Sequence, residues 1–278
     1  MSRICAFNYY GGKFKHLGWL LPLLPKCHHY CEPFGGAASV LLNREPSPLE
    51  TLNDIDGDVI NFFDVLRTRR DELVDSLCLT PYSREELHRA TLLGTDAPAF
   101  DRARAFFIKA TQTRSGLAQT TSRGRWAYEV KESCRAKAQN ISRYHSKIDG
   151  LGRIASRLLN VQLESSDASE VIGRADSPET LFFCDPPYEL ATRRGQRAYR
   201  YEMDDPALSR LVTLLRFVKG RVAISGYQSG IVAAGLNSRR SWNRYDRSVV
   251  CHESRSQRVE SLWTNFEAEG EQSCLMSN

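Results

Sequence analysis

Two hydrophobic rhythms alternate along this chain. Short apolar-rich runs bounded by turn-forming residues predict strands at 28–34, 49–53, 161–163, 181–184 and 222–225. Between them, apolar positions recur at helical spacing. Leu17, Leu20, Leu21 and Leu24 mark one helix, Val59, Ile60, Phe63 and Leu66 a second behind an Asp56 cap, and Ala103, Phe106, Phe107 and Ala110 a third over 99–109. Gly35-Gly36 predicts a tight turn, and 37–42 reads as the first turns of a helix after it. Ser83 and Glu86 have capping-box spacing. Val249-Val250 and 259–264 predict a hairpin at a sheet edge. Residues 67–157 are mostly helical in pattern, but periodicity fails at 115–126, whose Gly, Ser and Thr content predicts a loop or hairpin, before helix resumes near Lys131. The expected fold class is α/β, a mostly parallel sheet built from 1–66 and 158–278 and interrupted by a helical insertion at 67–157.

Charge sharpens this division. The net charge is +5, but residues 101–160 carry +9 and the rest of the chain −4. A basic middle between near-neutral or acidic flanks predicts a polyanion-binding module set into a catalytic frame, with solvated helix faces as the plain alternative. With 278 residues, 41% of them apolar, the chain can bury a real core. It has no apolar run of membrane-spanning length and no signal-like start, so a cytoplasmic enzyme is expected, with no membrane role. Eight scattered cysteines suit reduced thiols. Cys27-His28-His29-Tyr30-Cys31 resembles half a metal site but lacks a second ligand pair, and no metal is expected.

The most informative chemistry follows the run 180–184, where Asp185-Pro186-Pro187-Tyr188 stands at the end of an expected buried strand. Ligands bind at the carboxyl ends of strands in open α/β sheets. An exocyclic amino group on a flat base has two N–H donors and a lone pair delocalised into the ring. Acceptors that hold both hydrogens turn the lone pair towards an electrophile, and the Asp185 side chain and Pro186 carbonyl are candidates for that task. Two prolines stiffen the backbone, and Tyr188 offers a stacking face. A strand ending in a Pro-Pro turn is the bland alternative.

A second site is expected after the first strand. Glu32-Pro33-Phe34-Gly35-Gly36 lets a ligand approach the backbone, yet it is not a pyrophosphate cradle, which favours a nucleoside-type cofactor over a dinucleotide. Asp54 stands 18 residues beyond Gly36 at the end of the next strand, a suitable offset for holding ribose hydroxyls, with a helix cap as the alternative. Asn8-Tyr9-Tyr10-Gly11-Gly12-Lys13 lacks the spacing of a triphosphate loop and instead suits closure over a cofactor with an aromatic ring and a carboxylate, as S-adenosyl-L-methionine has.

Together, Tyr9-Tyr10-Gly11-Gly12-Lys13, Glu32-Pro33-Phe34-Gly35-Gly36, Asn53-Asp54-Ile55-Asp56 and Asp185-Pro186-Pro187-Tyr188 resemble, in order, the Dam-like, D12-class DNA adenine-N6 methyltransferases, especially the short phage and prophage forms. Ser225-Gly226-Tyr227 and 258–265 are also similar to this family. The resemblance implies a Rossmann-like, seven-stranded methyltransferase sheet with a helical target-recognition insertion. It implies that Tyr9, Lys13, Asp54 and Asp185 contact S-adenosyl-L-methionine, with Asp185 shared between cofactor and base. Glu32, Pro33, Phe34, Gly35 and Ile55 are placed with them as cofactor contacts, and Asp185, Pro186, Pro187 and Tyr188 as the catalytic set. Tyr9 stands where such enzymes often have tryptophan. The basic hairpin departs most from the GATC-reading members, so that recognition sequence is not transferred.

The implied activity is methyl transfer to N6 of an adenine flipped out of double-stranded DNA. Candidate DNA contacts are Arg114, Arg123, Arg125, Trp126 and Lys137 in the insertion, and Arg193 and Arg197 after the catalytic motif, with Arg194 and Arg200 beside them. A monomer or weak dimer near the nucleoid is expected, with a cognate restriction enzyme as an open option. Cytosine-N4, RNA-adenine or protein-glutamine methylation, or a DNA-binding regulator without activity, are the rival readings.

Overall fold

The computed structural model describes residues 3–114, 126–128, 139–189, 199–228, 230–237, 241–250 and 257–268. Seven strands form one sheet: β1 (His29–Glu32), β2 (Leu49–Asn53), β3 (Val161–Glu164), β4 (Thr180–Cys184), β5 (Arg221–Tyr227), β6 (Asn243–Val250) and β7 (Gln257–Thr264). Their order across the sheet is β3-β2-β1-β4-β5-β7-β6. The first five are parallel, while β7 runs antiparallel between β5 and β6. All five residues of β4 are buried, as expected of a central strand with both faces covered. From β1 the chain steps outward to β2 and β3, then returns to β4 and proceeds the other way. That reversal opens a crevice at the carboxyl ends of β1 and β4.

Helices cover both faces. Leu17–Leu23 (α1) follows a 3-10 turn at Lys13–His16. Gly57–Thr68 (α2) starts where the Asp56 carboxylate accepts from the Asp58 N–H at 3.0 Å. Arg70–Cys78 (α3), Arg84–Leu92 (α4), Ala99–Gln112 (α5) and Gln139–Leu158 (α6) belong to the helical stretch, and Ser83 Oγ caps α4 by accepting from Glu86 N at 3.1 Å. Ala168–Ala175 (α7), Asp205–Leu215 (α8) and Ile231–Leu236 (α9) pack on the opposite face.

The helical stretch shares a core with the sheet. A continuous cluster runs from Tyr30 on β1 through Phe62 and Phe63 on α2 to Phe106 and Phe107 on α5 and Tyr144 on α6. The Phe62 and Phe107 rings are stacked at 5.8 Å. Arg157, near the end of α6, grips the buried Glu50 carboxylate of β2 at 2.5 and 2.8 Å and donates to Leu41 O. Arg44 Nη1 lies 3.6 Å from the same carboxylate, and Ser47 N donates to it at 3.0 Å, so the buried charge is held from several sides.

One expected element does not form. Residues 37–42 are consecutive turns rather than the start of a helix. Gly36 (φ 48°) and Ala38 (φ 51°) take left-handed conformations that interrupt a right-handed helix. The Leu41 N–H is given to Glu32 Oε1 at 2.7 Å. Among the described residues, no helix is long and apolar enough to cross a membrane, and no group of three or more His, Cys, Asp or Glu could hold a metal.

Candidate active site

A cavity of about 220 Å³ opens at the crevice between the ends of β1 and β4. One wall is the turn after β1. Gly35 N donates to Asn53 O at 2.7 Å, which draws this turn against the end of β2. A Cβ on Gly35 would meet Leu52 Cδ1 at 2.6 Å and Asn53 O at 3.0 Å, and one on Gly36 would meet the Tyr9 ring at 2.9 Å. The packing therefore needs bare backbone here.

Asp54 closes this wall. Its Oδ2 accepts from Gly36 N and its Oδ1 from Asp56 N, both at 2.8 Å. Burial pushes its carboxyl up to about 6, against the lowering effect of those two N–H groups. Each oxygen keeps a second lone pair for a hydroxyl donor. Asp56 Oδ2, on the same wall, is buried with no hydrogen-bond partner among the described residues. Ile55 presents an exposed apolar side chain beside them. Buried acceptors in want of hydroxyls, an apolar face and a close backbone fit the ribose and ring of an adenosine, so these residues suit S-adenosyl-L-methionine. Glu32 organises the turn from behind, accepting from Tyr30 Oη at 2.8 Å as well as from Leu41 N, and burial raises its carboxyl to about 8.

The opposite wall is built from β4 and its neighbours. Asp185 follows the last residue of β4, and its Oδ1 accepts from Ser225 Oγ of β5 at 2.6 Å and lies 2.7 Å from Lys13 Nζ. No hydrogen bond engages Oδ2 among the described residues. Lys13 is buried; desolvation alone would lower its pKa, but the Asp185 and Glu260 carboxylates hold it well above its ordinary value. Lys13 Nζ also donates to Gly11 O at 2.9 Å and sits 4.9 Å from the centre of the Tyr188 ring. The Tyr188 ring meets Tyr227 edge-on at 4.7 Å, and its hydroxyl donates to Glu260 Oε1 at 2.7 Å. Cys184 is fully buried, and burial drives its thiol far up, so it is no nucleophile.

Tyr9, Lys13, Glu32, Pro33, Phe34, Gly35, Asp54, Ile55 and Asp185 all lie on the wall of this one cavity. The expected catalytic set divides: Asp185 and Pro187 face the cavity, whereas Pro186 and Tyr188 do not and line, with Pro187, Gly226 and Tyr227, a much smaller gap. Arg114 is exposed and lines a separate concavity with Asn8, Arg143 and Lys147. Trp126 pairs with Thr113 across an antiparallel bridge and packs on Tyr82 and Tyr128, under the Arg84 guanidinium. Arg123, Arg125, Lys137, Arg193, Arg194 and Arg197 lie outside the described residues, as do all but Trp126 of the expected loop or hairpin at 115–126 and the expected helix start near Lys131.

Sequence reading gave several residues no place at this cavity. Asp167, just before α7, and Ala168, its first residue, line the cavity. Asp167 had only a cap signal, because its carboxylate accepts from Ser169 N at the start of α7. Tyr199 to Met203 also line the cavity; Arg200 reaches Asp58 Oδ2 at 3.0 Å and so turns to the cofactor wall. Ser225 and Glu260 come to Asp185 and Tyr188 through strand pairing that no local pattern announces.

A family model described as the D12 class N6 adenine-specific DNA methyltransferase matches residues 9–229. The DNA adenine methylase of Salmonella typhi is 27% identical over 183 residues, covering 64% of this chain and 62% of that protein. The DNA adenine methylase of Escherichia coli (strain K12) is 27% identical over 189 residues with the same coverage. The DNA N-6-adenine-methyltransferase of Escherichia phage P1 is 26% identical over 218 residues, covering 75% of this chain and 27% of its own length. The similarity thus spans about 62% of the length of the bacterial relatives.

Proposed function

Since this chain belongs to the D12 class N6 adenine-specific DNA methyltransferases, we propose that it transfers a methyl group from S-adenosyl-L-methionine to the N6 amino group of an adenine flipped out of double-stranded DNA. One observation carries the reading. Asp185 and Asp54 face the same cavity from opposite sides of the strand-order reversal, so one carboxylate serves the target amine while the other serves the donor.

When bound, the cofactor supplies an electrophilic methyl on a sulfonium. The protein's own residues do the rest. Asp54 and Asp56 accept the ribose hydroxyls, and the Gly35–Gly36 backbone lets the nucleoside lie close. The Ser225 hydroxyl and the Lys13 ammonium hold Asp185 Oδ1, which leaves Oδ2 for one N6 hydrogen; the Pro186 carbonyl takes the other. With both hydrogens held, the N6 lone pair is turned out of the ring plane towards the methyl. Alignment and lone-pair orientation supply most of the rate. Flipping the base costs a few kcal/mol, offset by stacking on Tyr188 and by phosphate contacts.

Those phosphate contacts fall to the target-recognition insertion at 67–157, with Arg114 and the basic residues that follow it as their source, and Arg193 and Arg197 beside the catalytic motif. Affinity that falls steeply with added salt would support this part. For the reaction itself, the gene is expressed in a host devoid of DNA methylation and its modified bases are mapped. N6-methyladenine at a short recurrent sequence is expected. Cytosine N4 methylation, or unmodified DNA from folded cofactor-binding protein, would overturn the reading.

A further inference from the structure

Glu260 has no task in the mechanism above, yet it sits at its centre. It comes from β7, the antiparallel strand beside β5, and is 8% exposed. Its Oε1 takes the Tyr188 hydroxyl at 2.7 Å and lies 3.2 Å from Lys13 Nζ, and its Oε2 lies 3.7 Å from His16 Nε2. Burial would raise this carboxyl, but Lys13, His16 and the Tyr188 hydroxyl outweigh burial and hold it below the usual range. Burial lowers the His16 pKa, while the facing Glu260 carboxylate acts to raise it. Lys13 is the cation shared by the two carboxylates, and Arg247, paired with Glu260 across β6 and β7, acts on His16.

The position of that cation has a consequence. Its ammonium is 2.7 Å from Asp185 Oδ1 and 4.9 Å from the centre of the Tyr188 ring. A flipped adenine offers its amine to the same carboxylate and its ring to the same tyrosine. In this structure, Lys13 holds one oxygen of the carboxylate whose other oxygen the target amine uses. The amine takes Asp185 Oδ2, so the ammonium does not block it, but an ammonium held on Oδ1 draws the carboxylate's charge towards itself and leaves Oδ2 the weaker acceptor.

We propose that Glu260 is a positioning residue that receives Lys13: as the target amine enters between Asp185 and Tyr188, the ammonium shifts its weight from Asp185 to Glu260, which also anchors the Tyr188 ring by its hydroxyl. No bond is made or broken and no proton moves. The cation exchanges one carboxylate partner for another already within 3.2 Å. This inference rests on the proposed adenine methylation.

Glu260→Gln separates the two duties, because it keeps an acceptor for Tyr188 but removes the charge that draws Lys13 away. The variant and the unmodified protein are compared for melting temperature, cofactor affinity, DNA affinity, kcat, and the fluorescence of 2-aminopurine placed at the target adenine. Melting and both affinities should stay close to those of the unmodified protein. The kcat should fall about ten- to a hundredfold and the 2-aminopurine signal with it, and Glu260→Asp should recover much of both. A Glu260→Gln protein with unaltered kcat and base capture overturns the inference. Should that variant not fold, the 15N resonance of the Lys13 ammonium in the unmodified protein decides. It should move when DNA and S-adenosylhomocysteine are added, and a resonance that stays in place overturns the shift. If the unmodified protein methylates no adenine, the proposed function itself has failed, and the inference falls with it.

Discussion

The two walls of the cavity hold their carboxylates by different means. On the β1–β2 side, Asp54 is fixed by main-chain N–H groups at 2.8 Å, in a turn where glycine is enforced by contact. On the β4–β5 side, Asp185 is fixed by side chains, Ser225 and Lys13, and through Lys13 by Glu260. Backbone donors cannot move without unfolding the turn, whereas a lysine between two acids can change partner at small cost. The first wall is thus a preformed seat for a cofactor of constant shape. Under the proposed function, the second is the wall that admits the target base once it has left the DNA stack.

The largest test of this contrast replaces each acid. Asp185→Ala should keep the melting temperature and cofactor affinity and lose about a thousandfold in kcat, the scale of losing one oriented group at a reacting centre. Asp54→Ala should instead raise the cofactor Kd about ten- to a hundredfold. Calorimetric titration with S-adenosylhomocysteine and single-turnover kinetics separate the two. Equal losses of binding in both variants would erase the distinction between the walls.

Next in size is rigidity. Gly35→Ala forces a methyl into Leu52 and the Asn53 carbonyl, so stability should fall by about 1–3 kcal/mol in chemical unfolding, with cofactor affinity falling too.

The pH response is smaller and has a definite sign. The Asp54 carboxyl titrates at about 6 in the fold, above its ordinary value of 3.8, because it is buried. The folded state is then the better proton binder between those values, so stability falls as pH rises through that window. Asp54→Asn should remove this slope. Cofactor affinity runs the other way: the ionised form accepts the hydroxyls, and Kd should rise up to about tenfold per unit as pH drops below 6. The smallest effect is expected from Ser225→Ala, which leaves Lys13 on Asp185 and should cost kcat about tenfold or less.

How much of this was legible in the sequence differs between the walls in the same way. The strand 49–53 and the Asp54 that follows it were readable because an apolar run, a turn and an acid are neighbours in the chain. The 37–42 segment was misread because its alanines and leucines have helical propensity, while Gly36, Ala38 and the pull of Glu32 on Leu41 N are tertiary conditions. Asp185 was readable from its prolines and tyrosine. Its supports were not: Ser225 reaches it through β4–β5 pairing, and Glu260 reaches Tyr188 and Lys13 across β5 and β7. Asp167 was hidden by looking like a helix cap, which it also is.

The central claim, that one cavity brings a methyl donor and a swung-out adenine amine together between Asp54 and Asp185, is tested most directly with purified protein, methyl-labelled S-adenosyl-L-methionine and unmethylated duplex DNA. After digestion, nucleoside mass spectrometry should find the label in N6-methyladenine with the unmodified protein and not with Asp185→Ala. Label in another nucleoside, or undiminished N6-methyladenine from the folded variant, would contradict it.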